Sequence, residues 1–291
     1  MKSPKVSWSL VTVFITIIMI IGFGCEKTEE VVAPSELAPP TNLRAVSDDV
    51  SVTLYWDLSS SEGDSKFQGY RIMVYDGSTL KDSSQVSKGV YSKRVDMSSS
   101  AFFYQVNYTF KVHSVSNGSL SQAATIVWGK SKKSATDKTI YEFASPNPSG
   151  LSFINGTNPA DPAGGLLSFK AENANQLDLW IDGRNNADVL LKSPHKYGSP
   201  MTRVTQLAEA TPAQGSGSVT NLTTPTFPPS SFQDTPGLVP LANKVYWAKT
   251  QDGYYVRFMV VATGGTSPNR FVTIRYFIND GGGAWAKRGS N

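Results

Sequence analysis

Side chains able to do chemistry are scarce in this sequence, and their spacing argues against catalysis. Imidazole occurs twice, at His113 and His195. A serine or cysteine nucleophile needs a base within hydrogen-bond reach, so it would have to use one of these two. His113 lies in Y-T-F-K-V-H-S, where parity with Tyr108 and Phe110 turns it outward. His195 lies in K-S-P-H-K-Y-G-S-P-M, a loop bounded by prolines. No H-E-x-x-H, G-x-S-x-G, Walker loop or strand-flanked GxGxxG is present. Asp178 and Asp182 could do acid–base work as a pair, but at a strand end they read as turn polar groups. Asp182 to Asp188, D-G-R-N-N-A-D, gathers hard oxygen ligands beside a glycine. It lacks the ligand spacing and distal bidentate Glu of a calcium loop, so a turn is expected there and no metal site. The chain is therefore expected not to be an enzyme.

Aromatic side chains are the other resource. Trp180, Trp247 and Trp285, with Tyr246, Tyr254 and Tyr255, could form a stacking platform for sugar rings. The same residues pack well in strands. Trp180 and Trp247 are expected to be partly core. Trp285 beside G-G-G is expected to be exposed and, with Tyr255, available to a ligand.

The single cysteine, Cys25, follows an uncharged apolar run from Val6 to Gly24, with Lys2 and Lys5 ahead of it. This is the layout of an export leader, which stands outside the fold. The run is also about long enough to span a bilayer, roughly 18 residues, so an uncleaved anchor is the alternative. Gly22-Phe23-Gly24-Cys25 resembles a bacterial lipobox. That resemblance implies cleavage before Cys25 and lipid on its thiol, with residues 1–24 as signal peptide and attachment to a membrane. Residues 25–37 then read as an acidic, proline-containing tether. Glu26, Glu29 and Glu30 resemble the signal that directs some lipoproteins to the outer face of the outer membrane, so cell-surface display is expected. Without Lys2 and Lys5 the chain holds 25 basic and 23 acidic residues, a formal +2. No basic block remains, so no nucleic-acid partner is expected.

The elements that must position any site are strands. Val50, Val52, Leu54 and Trp56 alternate with polar residues, as do Tyr70, Ile72 and Val74, and again Tyr108, Phe110 and Val112. Period two marks half-buried strands, and the Ser/Gly/Asp clusters between them are turn chemistry. The pattern predicts a β-sandwich and an all-β chain. P-P-T-N-L-R-A-V, V-x-L-x-W, G-Y-R-I and Y-T-F-K-V-H-S-V together resemble a fibronectin type III domain over residues 38–130. The resemblance implies core roles for Trp56 and Tyr70, and a tyrosine corner at Tyr108. Gly129 to Lys138 is a polar stretch without apolar period, where a domain boundary is expected.

Residues 139–291 are expected to form a second all-β domain. Its strands are T-I-Y-E-F, G-L-L-S-F-K-A, Q-L-D-L-W-I-D, K-V-Y-W-A-K, Y-Y-V-R-F-M-V-V and F-V-T-I-R-Y-F-I, with a hairpin turn at Asp252-Gly253. The segment from Thr211 to Pro240 carries six of the 17 prolines and one charge, Asp234. A loop of that length is functional or disordered, and Phe227, Phe232, Leu238 and Val239 suggest that it packs on the sheet. Y-E-F, L-D-L-W-I-D-G and the closing V-Y-W-A-K-T-Q-D-G-Y-Y-V-R-F-M-V…F-V-T-I-R-Y-F distantly resemble HmuY-like haem-scavenging lipoproteins. That likeness implies a haem whose iron His195 and Met201 would ligate, with Tyr197 lining the pocket. The residues themselves call for no cofactor. The favoured expectation is a lipid-anchored, non-catalytic binding or adhesion protein for an extracellular glycan or protein, with haem or other small-ligand capture as the alternative.

Overall fold

A computed structural model describes residues 36–104, 106–154, 164–184, 188–213, 216–234 and 237–279. Cys25, the tether before Glu36, and Trp285 lie outside the described residues. From Leu37 onward the chain forms one compact unit, and it is all-β apart from single 3-10 turns.

The first half contains β1 (Thr41–Ser47), β2 (Ser51–Asp57), β3 (Phe67–Asp76), β4 (Thr79–Ser87), β5 (Ser92–Asp96), β6 (Tyr108–Ser116), β7 (Ser119–Leu120) and β8 (Ala124–Trp128). One sheet runs β1-β2-β5. The other runs β4-β3-β6, with β7 and β8 both paired to β6. This division of strands between two facing sheets is the fibronectin type III arrangement. Alternate residues of the two sheets meet in a common core that includes Leu54, Trp56, Tyr70, Ile72, Tyr108 and Phe110. Trp56 is 2% exposed and meets Tyr70 edge-on at 5.5 Å. The Tyr108 hydroxyl accepts the Phe103 N–H at 2.8 Å, which pins the crossing between sheets. Lys81 to Tyr91, which shows no regular pattern, contains most of β4. That edge strand pairs only with β3 and is largely exposed, so it needs no buried apolar face.

The second half contains β9 (Lys132–Lys133), β10 (Lys138–Tyr141), β11 (Gly150–Leu151), β12 (Leu166–Leu167), β13 (Leu179–Asp182), β14 (Leu190–Lys192), β15 (Gln206–Glu209), β16 (Val245–Lys249), β17 (Tyr255–Gly264) and β18 (Phe271–Asn279). The larger sheet runs β10-β18-β17-β16-β15, and β9 also pairs with β18. The smaller runs β12-β11-β13-β14. Leu151, Leu179 and Ile181 of the smaller sheet share a core with Tyr246, Phe258 and Ile274 of the larger. Tyr246 repeats the tyrosine device, its hydroxyl accepting the Leu241 N–H at 3.1 Å. At the β16–β17 turn only Gly253 takes a positive φ, +86°. Asp252 does not, and its carboxylate reaches Arg203 instead at 2.6 Å.

The polar stretch expected to separate the halves is bonded to both. The Ser131 N–H donates to Asp48 O at 2.9 Å, while Lys132 and Lys133 pair with Ile278 and Phe277. Arg257 reinforces the junction. By alternation it should point away from the second core, and it does, yet it is buried. Its guanidinium donates to Ser47 O and Thr224 O, each at 3.3 Å, and lies 5.4 Å from the Phe277 ring centroid. Burial pushes its pKa down to about 10, against the opposing pull of Asp48 and Tyr55. The proline-rich segment closes the same contact: Phe227 packs edge-on against Tyr55 at 5.3 Å, while Phe232 meets Tyr255 at 5.6 Å. Leu238 packs on the second core, whereas Val239 is exposed.

Candidate ligand-binding face

The loops around β13 and β14 hold the densest grouping of aromatic and charged side chains among the described residues. β13 reads Leu-Trp-Ile-Asp and is buried throughout. Trp180 stacks on Phe169 with centroids 4.5 Å apart, and its indole N–H donates to Ser193 O at 3.1 Å. Phe143 approaches Trp180 edge-on at 6.0 Å. Tyr197, following the 3-10 turn Pro194–Lys196, contacts Phe143, Phe169 and Trp180 at 5.4, 5.1 and 5.7 Å. It is also 37% exposed, so this ring presents the cluster to solvent.

Arg184 lies over these rings. Its Cζ is 4.9 Å from the Tyr197 centroid and 5.1 Å from that of Trp180, within cation–π range. Asp182 fixes the guanidinium in two-point geometry, accepting from Nε at 2.9 Å and Nη2 at 3.0 Å. Lys192 Nζ donates to the same carboxylate at 2.8 Å. Burial would raise the Asp182 pKa, but the bonds from Arg184 and Lys192 outweigh it and hold the carboxyl well below the ordinary carboxylate range. Arg184 Nη1 makes no hydrogen bond among the described residues, and the side chain is 38% exposed. The arrangement is an immobilised donor edge beside an exposed aromatic ring. It can stack a flat apolar face and donate to an oxygen at that face's rim.

His195 occupies a different environment from the one required of an iron ligand. Its Nε2 faces the Asp234 carboxylate at 3.1 Å and its Nδ1 faces Ser193 Oγ at 2.7 Å. A carboxylate only accepts, so Nε2 carries a hydrogen toward Asp234, while the Ser193 hydroxyl beside Nδ1 also lies 3.3 Å from Arg203 O. Met201 is buried with Phe169, Leu177 and Trp180. The implied axial pair is therefore not assembled: both ring nitrogens of His195 have partners, and the Met201 thioether packs in the core. Ligation at His195 would break one of those bonds and bare a partner.

Serine, imidazole and carboxylate in one chain also resemble a nucleophilic triad. Ser193, however, is 2% exposed, and its Oγ accepts the Thr205 N–H at 2.8 Å. A nucleophile must be reachable by substrate, so the relay acts as a clamp. It fastens the proline-rich segment, through Asp234, to the turn carrying Tyr197, and Lys196 adds a 2.8 Å bond to Asp234.

The remaining sequence candidates are dispersed. Trp247, Tyr246 and Tyr254 are buried, so they offer no sugar platform. Tyr255 is half-buried and packs on Phe232. His113 is half-buried on β6, its Nδ1 2.8 Å from Ser121 O. Asp178 and Asp182 each face cations, Arg203 at 2.7 Å for the first and Arg184 and Lys192 for the second. No grouping of three or more metal-ligating side chains is present among the described residues. Sequence reasoning named Trp180 and Tyr197 separately. It missed Arg184, Phe143 and Phe169, because only folding brings positions 143, 169, 180, 184 and 197 together.

No family model matches the chain. No curated protein matches it. Among solved structures, the spore cortex lytic enzyme SleM of Clostridium perfringens aligns at 12% identity and TM-score 0.26; the alignment covers 31% of this chain and spans only 27% of the enzyme. A DUF4466 family protein of Parabacteroides merdae aligns over 86% of this chain and 95% of its own, at 13% identity and TM-score 0.33. A two-domain fibronectin type III segment of chicken tenascin aligns over 83% and 99%, at 11% identity and TM-score 0.27. At such scores the fold rests on the chain's own strand order: it is all-β, with a fibronectin type III-like sandwich leading.

Proposed function

We propose that this protein is an exported, lipid-anchored binding protein of the cell surface that recognises an extracellular glycan without transforming it. Cys25 serves as anchor. The fibronectin-like sandwich acts as a fixed spacer, and the β13–β14 face carries the ligand site. The observation supporting a binding site is the Arg184 guanidinium, held two-point by Asp182 over Trp180 and Tyr197, with Nη1 making no hydrogen bond to a described residue. A pyranose offers what this edge and ring accept: an apolar C–H face to stack on Tyr197 and hydroxyl or carboxylate oxygens for Nη1.

The spacer role is supported by where the chain enters and leaves the first sandwich. Ala38 is bonded to Ser59 and Ser61 at one end. Ser131 leaves from beside Asp48 at the other. The nine-residue β6 between those ends spans about 30 Å at the usual strand rise.

A glycan array probed with the chain from Glu26 onward, followed by calorimetry on the best hit, tests the reading. Arg184→Ala and Tyr197→Phe separate the two contributions. The first should abolish binding, while the second should preserve stacking and most affinity. Tyr197→Ala should lose it. Glycan binding that is indifferent to Arg184 and Tyr197 would place the site elsewhere.

A further inference from the structure

The end of the first sandwich at which the chain enters carries a group of exposed apolar loop tips that the glycan site does not use. β2 ends at Asp57, β3 starts at Phe67, β4 ends at Ser87, β5 starts at Ser92 and β6 ends at Ser116. The antiparallel pairing puts all these ends at one pole. Three connections there expose large apolar side chains: Leu58 at 56%, Val90 at 39% with Tyr91 at 37%, and Leu120 at 42%. Such tips are ordinarily polar, and Leu58 lies beside the strand end where the Trp56 N–H donates to Tyr91 O.

The tips are held rigidly. Buried Glu62 accepts the Gly89 N–H at 2.8 Å, the Tyr91 hydroxyl at 3.1 Å and the Tyr70 hydroxyl at 2.5 Å. The Ser59 N–H in turn donates to the Tyr70 hydroxyl at 2.9 Å. One carboxylate thus ties the loop carrying Val90 and Tyr91 to the loop carrying Leu58. The same loop receives the incoming chain, because the Ala38 N–H donates to Ser61 Oγ and the Ser59 hydroxyl donates to Ala38 O.

We infer that this pole is a membrane-contact surface, whose occupant is the bilayer that anchors the chain. The inference rests on the lipid-anchor reading, and the chemistry of the pole supports this occupant over others. Only 11 residues, Glu26 to Glu36, lie between the anchoring cysteine and the fold. Fully extended they reach about 40 Å, so the tether keeps this pole near the surface without fixing its angle. Apolar tips flanked by a tyrosine fix the angle, since such side chains settle at the headgroup–acyl boundary. Arg44, which pairs with Asp57 at 3.4 Å, Lys66 and Lys88 stand against Asp57, Asp64 and buried Glu62 around this pole, so charge is nearly balanced. The contact should therefore not depend on anionic lipid.

The experiment supplies the anchor artificially, so that failure of native lipidation does not decide it. The chain from Glu26 keeps every described residue and contains no cysteine. An N-terminal hexahistidine tag couples it to vesicles of phosphatidylcholine containing a nickel-chelating lipid. Single cysteines at Leu58→Cys, Val90→Cys or Phe103→Cys carry an environment-sensitive fluorophore. Phe103 is exposed at the opposite pole and serves as the control.

Labels at 58 and 90 should shift to the blue and lose emission to acyl-brominated lipid, while the label at 103 does neither. Replacing a quarter of the lipid by phosphatidylglycerol should change little. A label at Leu120→Cys should be quenched in the parent and released by Leu58→Asp with Val90→Asp. Equal quenching at 90 and 103, or none at either, overturns the inference. So does concentration-dependent burial of the label at 90 without vesicles, which would make the pole a contact between copies. Native lipidation is scored separately, by palmitate incorporation at Cys25.

Discussion

Replacing two buried arginines by methionine should have opposite consequences, because among the described residues one guanidinium has carboxylate partners and the other bonds carbonyls alone. Arg203 donates to Asp178 at 2.7 Å, to Asp252 at 2.6 Å and to Leu177 O at 3.2 Å. Its side chain is 7% exposed and that of Asp178 is 0%. Burial alone would lower the Arg203 pKa, but the two carboxylates outweigh it and raise it. Arg203→Met keeps most of the apolar stem yet strands the Asp178 charge in the interior. Removing one partner of such a pair costs about 3–5 kcal/mol. For a chain of this size that is roughly 10 °C of Tm.

Arg257 starts from the other sign. Bringing the guanidinium pKa down to about 10 by burial corresponds to about 3 kcal/mol of charge-burial cost at neutral pH. Its two carbonyl bonds at 3.3 Å return about 1 kcal/mol each. Arg257→Met should therefore leave stability nearly unchanged or slightly raised. Thermal melts of the chain from Glu26, followed by tryptophan emission, compare the two. If Arg203→Met melts within two or three degrees of the parent, or if both variants fall together, the assignment of compensated and uncompensated charge is wrong.

Trp56→Ala should destabilise by about 3–5 kcal/mol, the usual range for truncating a core aromatic; a Tm within a few degrees of the parent would remove Trp56 from the core. Asp182 has a lowered folded pKa, so the stability it contributes is present above the unfolded value near 3.9 and is lost as pH falls through the folded one. Asp182→Asn should therefore be less stable at neutral pH and flatter in its dependence below about pH 4, and a parallel profile in acid melts would contradict this. Cys25→Ser should abolish palmitate incorporation and leave the chain soluble or as an uncut precursor; undiminished labelling would end the anchor reading.

Strand patterning made the first sandwich legible because β2, β3 and β6 each turn one face into its core, so Val52, Leu54 and Trp56 had to fall at alternate positions. The Tyr108 corner followed from the same resemblance. The closing strands were equally readable, since Val256, Phe258, Val272 and Ile274 all point into one core. β11 and β14 were not, because strands of two or three residues are too short to show a period, and the strand expected in G-L-L-S-F-K-A shrinks to Leu166–Leu167.

Only the tertiary structure decided what the outward faces do. Arg257 occupies a position that alternation marks as solvent-facing, and the first sandwich buries it, a contact between segments 210 residues apart. The face around Trp180 draws on five positions from 143 to 197, and no local spacing records that they meet. His195 and Met201 show the converse. Six residues separate them in the chain, yet one is clamped to Asp234 and the other faces the core, because side-chain direction follows from packing rather than proximity. The sequence alone determined the period-two faces and the placement of turns, both of which depend on near neighbours. Which charges found partners, and which aromatics stayed at the surface, were settled by contacts between distant segments.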